Sequence, residues 1–152
     1  MDKTIHIGSD HAGFELKEKV KKNLENVIDH GAYEYKKTDD YPDYAQKVCK
    51  SMKKGAMGLL FCGSAEGMCI AANKIKGIRA IVATDEKIAE LARKHNDANV
   101  LCLPGGQMQK KIKGIGLTEK QAMKVINKFL KTKFSQAERH KRRLKKIKKM
   151  EQ

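Results

Sequence analysis

Met57 to Phe61 is an apolar run with no polar position to turn toward water. A strand of that kind must be covered on both faces, the condition of a parallel sheet packed between helices. The run ends at Cys62, passes through a turn of small residues (Gly63, Ser64, Ala65, Glu66, Gly67) and enters an Ala-rich segment that reads as a helix to about Ile75. A strand that feeds a helix through such a turn leaves backbone N–H groups pointing one way, with the helix dipole behind them. Cys62 is therefore expected at the lip of an anion site. There a positive local field should lower the thiol pKa from about 8.5 toward neutrality. This arrangement suits a reaction in which a thiolate takes a proton and the substrate becomes an oxyanion.

The same alternation recurs along the chain. Thr4 to Ile7 reads as a first strand, followed by the turn Gly8 to Gly13 and a helix with Phe14, Leu16, Val20, Leu24 and Val27 in register. Val27-Ile28 reads as a short second strand, and Tyr33 to Pro42 as a polar loop. Tyr44, Ala45, Val48, Cys49 and Met52 form one stripe of a helix over Asp43 to Lys54 that Gly55 should close. Ile78 to Ala83 and Asn99 to Leu103 read as the fourth and fifth strands. Thr84 or Asp85 should cap the helix between them, which ends near His95. Thr118 with Gln121 resembles a capping box opening a helix to Lys131, and a last basic helix begins near Gln136.

These elements predict a parallel sheet with helices on both faces, whose ligands collect beyond the carboxyl ends of the strands. Ser9-Asp10-His11, Cys62-Gly63-Ser64 and Thr84-Asp85 fall there, and the sheet order should bring His95-Asn96-Asp97 to the same edge.

A chain of 152 residues with 40% hydrophobic content suits one folded domain, and no apolar run approaches the roughly 20 residues that cross a bilayer. The N-terminus has no signal-peptide pattern, so the expected location is the cytoplasm, with no membrane partner. Cys49, Cys62, Cys69 and Cys102 form no C-x-x-C pair and read as free thiols, with no metal site. The formal charge is +15, and residues 136–152 carry eight Lys/Arg against two Glu. Such a tail could meet nucleic acid, although lysines are scattered over the whole chain and a solvated face explains them as well. Arg139 and Arg143 lie one helical turn apart, a spacing suited to a phosphate monoester.

The motifs GSDHAG (Gly8 to Gly13), DDYPDYA (Asp39 to Ala45), CGSAEGMCIAANKIKGIRA (Cys62 to Ala80), HNDANVL (His95 to Leu101) and F-x4-RHKRR (Phe134 to Arg143) resemble those of the ribose-5-phosphate isomerase B family, which also includes galactose-6-phosphate isomerase subunits. The resemblance runs in order over almost the whole chain. It implies a Rossmann-like three-layer α/β/α sandwich with a five-stranded parallel sheet, residues 1–135 as the isomerase domain, and 136–152 as an extended basic helix serving the dimer and the phosphate site. It further implies a homodimer or dimer of dimers with active sites shared between subunits. The reaction it implies interconverts an aldose and a ketose phosphate through an enediolate, with no cofactor.

Carried over by that resemblance, Cys62 is the base for the carbon-two proton and the amides of Gly63, Ser64, Ala65, Glu66 and Gly67 hold the enediolate. Ser64 moves a proton between substrate oxygens. His95, with Asp10 nearby, opens the sugar ring. Tyr41 and Asn96 bind sugar, and His11, Arg139 and Arg143 grip the phosphate. Ribose 5-phosphate is the expected substrate. A hexose 6-phosphate such as galactose or allose 6-phosphate is the alternative, and a non-catalytic anion- or nucleic-acid-binding domain is the reading from another class.

Two departures from the family pattern C-G-[ST]-G-x-G and Gly-x-Arg bear on this. Ala65 and Glu66 stand in the fourth and fifth places of the first, and Ala65 would set a methyl where the backbone approaches substrate. Glu66 either points outward or acts as a second base, and Met68 stands where some members carry a catalytic glutamate. Gly106 or Gln107 replaces the arginine of the second, leaving Lys110 or Lys111 as substitutes, and Lys111 to Gly116 lengthens the following loop.

Overall fold

A computed structural model describes residues 4–107 and 114–151 of the chain. Five strands, β1 (Ile5–Ser9), β2 (Val27–Asp29), β3 (Met57–Cys62), β4 (Ala80–Val82) and β5 (Val100–Pro104), form one sheet in the order β2-β1-β3-β5-β4. Every pairing is parallel. The helices are α1 (Phe14–Lys21), α2 (Tyr41–Ser51), α3 (Glu66–Ala72), α4 (Glu86–Asn96), α5 (Glu119–Lys131) and α6 (Glu138–Lys149).

The apolar run that opened the argument becomes β3, the central strand, with Leu59, Leu60 and Phe61 fully buried. Its alternating side chains feed two separate cores. Leu59 and Phe61 pack with α1, α4 and α5 residues such as Leu16, Val20, Ala89, Ile126 and Phe129. Leu60 and Cys62 pack on the other face with Ala45, Val48, Met68 and Ala72 from α2 and α3. The chain is thus the expected three-layer α/β fold, and none of the helices among the described residues is long and apolar enough to cross a membrane.

Local chemistry sets the helix ends. Asp85, not Thr84, caps α4 by accepting the Ile88 N–H at 3.0 Å. The Thr118–Gln121 capping box opens α5 with both of its hydrogen bonds formed. Three expectations needed correction. Gly55 does not close α2, which ends at Ser51 with extended backbone at Met52, and Gly55 (φ 96°) instead turns the chain toward β3. The helix after Cys62 stops at Ala72, where Asn73 takes its side chain to the backbone of Ala80, donating to the carbonyl at 2.9 Å and accepting the N–H at 2.8 Å. The first helix ends at Lys21, short of Val27.

The carboxyl end of β1 is braced from beneath. Lys17 is fully buried, its ammonium bonded to Asp29 at 2.9 Å and to the Ala32 carbonyl at 2.6 Å. Burial opposes ionisation of Asp29, but Lys21, Lys17 and the Gly31 N–H outweigh it and hold that carboxyl below its usual range. Ser9 exchanges backbone bonds with Gly31 and Ala32, so this ion pair fixes the strand end from which Asp10 emerges.

Candidate active site

β1 and β3 are neighbours, yet α1 leaves β1 for one face and α3 leaves β3 for the other. The loops beyond their carboxyl ends therefore part over a crevice, the usual ligand position in such sheets. Asp10, His11 and Cys62 stand at this point. The Asp10 N–H donates to the Phe61 carbonyl at 3.3 Å, and its carboxylate accepts the Gly13 N–H at 3.1 Å. Burial raises the Asp10 pKa, against the Gly13 N–H and the nearby His11, while Asp39 reinforces the rise.

His11 is held by Asp39. One carboxylate oxygen, Oδ1, accepts the His11 backbone N–H at 3.0 Å and faces the ring Nδ1 at 2.7 Å. Tyr35 meets the imidazole edge-on at 6.1 Å between centroids. Tyr41, the first residue of α2, lays its ring over Gly67: a Cβ added to Gly67 would sit 2.8 Å from the Tyr41 Cζ. Any side chain there would push the tyrosine ring aside, so glycine is what lets Tyr41 lie in this place.

Cys62 closes β3 and is only 4% exposed. The expected lowering of its thiol pKa is overturned. Burial raises it, and the negative charges of Asp10 and Glu66 add to the effect. The backbone N–H groups of Met68 and Ala65 do point at the sulfur and oppose the rise, but they do not outweigh desolvation. Of these two donors only Ala65 belongs to the small-residue turn, and the cost of burying a charge exceeds what both supply.

Ala65 has φ 75° and ψ −20°, the left-handed region, and it is fully buried in the core on the α2–α3 side. Its methyl therefore faces packing, not substrate. An L-residue with a side chain pays about 1 kcal/mol in that conformation, which explains why glycine suits the fourth place of the motif. Ala65→Gly is expected to leave stability unchanged or raise it by up to about 1 kcal/mol, since relief of strain opposes the lost methyl packing. Urea denaturation with an unchanged m-value checks this. A loss above about 2 kcal/mol would show that packing governs the site. Glu66 is exposed at the first turn of α3 and Ser64 is half-buried.

The segment after β5 locks the two loops together. The N–H groups of Gly105, Gly106 and Gln107 donate to the carbonyls of Cys62, Gly63 and Ala12 at 2.7, 3.0 and 3.2 Å. Gly106 (φ 74°) has its neighbour Ile115 carbonyl 2.6 Å from where a Cβ would lie, so no arginine fits there without rearrangement. The Gln107 side chain is committed to α1, accepting the Glu15 N–H at 3.2 Å and donating to the Glu15 carboxylate. Lys110, Lys111 and the first half of the lengthened loop lie outside the described residues.

The remaining candidates are elsewhere, which corrects the expectation of one common edge. α4 runs antiparallel to the strands, so Thr84 and Asp85 lie at the carboxyl edge but His95 and Asn96, in its last turn, lie at the amino edge. Arg79, at the start of β4, donates from Nε to the carbonyls of Asn96 and Asp97 at 3.2 and 2.8 Å. β3 is six residues long, so about 16 Å of sheet separates the two edges. α6 begins beside α4: the Ser135 N–H donates to the Lys94 carbonyl, and the His140 ring lies tilted against His95 with centroids 4.5 Å apart. Arg139 and Arg143 flank His140 and are exposed, with no ion-pair partner among the described residues. Burial, then Arg139, His95 and Arg143, lower the His140 pKa.

Asp39 and His140 were missed as site residues. Asp39 sits in a charged loop with no local pattern to mark it, and the contact of His140 with His95 joins residues 45 positions apart.

The chain divides the candidate residues into two half-sites: Asp10, His11, Tyr41, Cys62 and Ser64 at the carboxyl edge, and His95, Asn96, Arg139 and Arg143 at the amino edge. Known proteins carry the same architecture. A Thermotoga maritima ribose 5-phosphate isomerase structure superposes with a TM-score of 0.86 at 42% identity, covering 98% of this chain and 99% of that one. A Mycoplasma genitalium ribose-5-phosphate isomerase B structure with bound ribulose-5-phosphate has a TM-score of 0.88 at 39% identity, covering 99% and 97%. A Mycoplasma pneumoniae protein named "probable ribose-5-phosphate isomerase B" is 42% identical over 153 aligned positions, 97% of this chain and 94% of its own. The ribose/galactose isomerase family model matches residues 5–147. With that match spanning nearly all of the chain and full-length relatives above 30% identity, the protein belongs to the ribose/galactose isomerase family.

Proposed function

We propose that the protein is a ribose-5-phosphate isomerase of the B type, interconverting ribose 5-phosphate and ribulose 5-phosphate. The observation that carries the reading is Cys62: a thiol that closes the central strand at the ligand crevice and receives two backbone N–H groups, in a chain of this family. Its thiolate takes the proton from carbon two and returns it to carbon one. The amides of residues 63–67 bear the negative oxygen of the enediolate, and Ser64 carries a proton between the two substrate oxygens. His95 serves ring opening, Tyr41 and Asn96 hold hydroxyls, and His11, Arg139 and Arg143 hold the phosphate.

This assignment requires two subunits. One chain keeps its half-sites at opposite sheet edges, so a complete site forms where the amino edge of one protomer meets the carboxyl edge of another. The homodimer is the smallest assembly that does this, with residues 136–152 contributing Arg139 and Arg143 to the partner's phosphate pocket. The same docking offsets the burial of Cys62. Arg139 and Arg143 of the partner subunit would bring positive charge toward a thiol that burial makes hard to ionise. All four cysteines are free, as a reducing compartment such as the cytoplasm requires.

A coupled assay across ribose 5-phosphate, galactose 6-phosphate and allose 6-phosphate tests the reading. The highest kcat/KM is expected for the five-carbon substrate. Equal or better hexose turnover would move the assignment to the six-carbon sugars. No turnover, together with salt-sensitive binding to RNA or DNA, would replace the enzyme with a polyanion-binding domain.

A further inference from the structure

We propose that Asp39 is a positioning residue for His11 and, through it, for the phosphate end of the substrate; this rests on the isomerase reading above. The side chain of Asp39 is 6% exposed and that of His11 19% exposed, so the carboxylate is the more deeply enclosed of the pair. A single oxygen, Oδ1, accepts the His11 backbone N–H and faces Nδ1, fixing both the main chain and the ring. The other, Oδ2, is fully enclosed. The Tyr44 phenol faces the same carboxylate: burial first, then the Asp39 charge and a hydrogen bond to Asp39, raise its pKa. A carboxylate enclosed to this degree at a loop is costly unless it orders something.

The chemistry follows from the donor inventory. An ionised carboxylate only accepts, so the proton between Asp39 and His11 resides on Nδ1. Nε2 is then the ring nitrogen left for a ligand. A phosphate oxygen also only accepts, so the ring serves it when Nε2 carries a hydrogen too. Asp39, the His11 ring and the phosphate then form one chain of hydrogen bonds, with the two acceptor groups kept apart by the ring. Asp39 does not itself touch the substrate. Nothing in the DDYPDYA motif distinguishes its first Asp from its second until the fold is formed. Asp40 is exposed at the N-cap position of α2, while Asp39 turns inward.

The test compares Asp39→Asn, which keeps an oxygen acceptor and loses the charge, with Asp39→Ala, which loses both. The KM for ribose 5-phosphate is expected to rise about tenfold in D39N, the effect of one charge-assisted hydrogen bond, with kcat changed less than about twofold. In a His11→Asn background, D39N should add nothing, because its effect passes through the ring. Titration of inorganic phosphate followed by the His11 ring 15N signals gives a second readout that needs no turnover. Wild type should show a protonated Nδ1 and saturate at about tenfold lower phosphate than D39N. An unchanged KM and phosphate affinity in D39N would overturn the proposal, as would a fall in kcat alone or additive effects with H11N. Should D39A fail to fold, D39N decides. Should wild type be inert with every sugar phosphate, the isomerase reading fails, and the phosphate titration still judges the role of Asp39.

Discussion

Replacing Cys62 with alanine is expected to lower kcat about a thousandfold, the typical worth of a positioned acid–base group. The change removes one sulfur from a strand end whose backbone is anchored by the Gly105 N–H on the Cys62 carbonyl at 2.7 Å. The fold should survive with a loss of about 1–2 kcal/mol, so circular dichroism and urea unfolding separate inactivity from misfolding. Cys62→Ser should be as inactive, since a hydroxyl in that buried setting does not ionise near neutral pH. The raised thiol pKa fixes the sign of the pH dependence: the thiolate fraction grows as pH rises, so kcat/KM should climb from neutral into alkaline conditions. Iodoacetamide modification of Cys62 should follow the same curve. A C62A enzyme with near-wild-type turnover would remove the thiol from the mechanism.

Mixing two inactive variants is expected to restore activity. Cys62→Ala damages the carboxyl-edge half-site and His95→Ala the amino-edge one, and a two-fold dimer pairs each edge with the opposite edge of its partner. Unfolding and refolding the two together in equal amounts makes half of the dimers mixed. Each mixed dimer holds one intact site, giving about a quarter of wild-type activity. Neither variant refolded alone should exceed background. Failure to complement, with both variants folded and dimeric by light scattering, would mean that no site is shared between subunits. His95→Ala also removes the ring against which His140 packs, so His95→Asn serves as the control for local collapse of the α4–α6 contact.

Much of the architecture was legible because each β3-like segment repeats one physical demand. A strand without a polar face must be covered twice, and this fixes the parallel sheet and the helices on both sides. Caps with a chemical mechanism, Asp85 and the Thr118–Gln121 box, could be read for the same reason: their partners lie three residues away. Helix ends without a local capping signal were misjudged. Asn73 ends α3 through bonds to Ala80, seven positions on and in another strand, so the Ala-rich pattern ran past the true end.

Site chemistry divides along the same line. Residue type and short spacing were enough to single out Cys62 and the small-residue turn, because those properties are local, while the Arg139–Arg143 pair stood out from a basic tail only through the family resemblance. Three matters depended on distant parts of the chain. The first is the ionisation of Cys62, where desolvation by the packed core exceeds the pull of two amides. The second is the separation of His95 from Cys62, which follows from α4 running against the strands. The third is the grip of Asp39 on His11, across 28 positions of sequence. Composition and periodicity determine which elements form and which groups they carry. Burial, strand order and chain direction decide which groups meet and in what charge state, because those depend on neighbours that only the folded chain brings together.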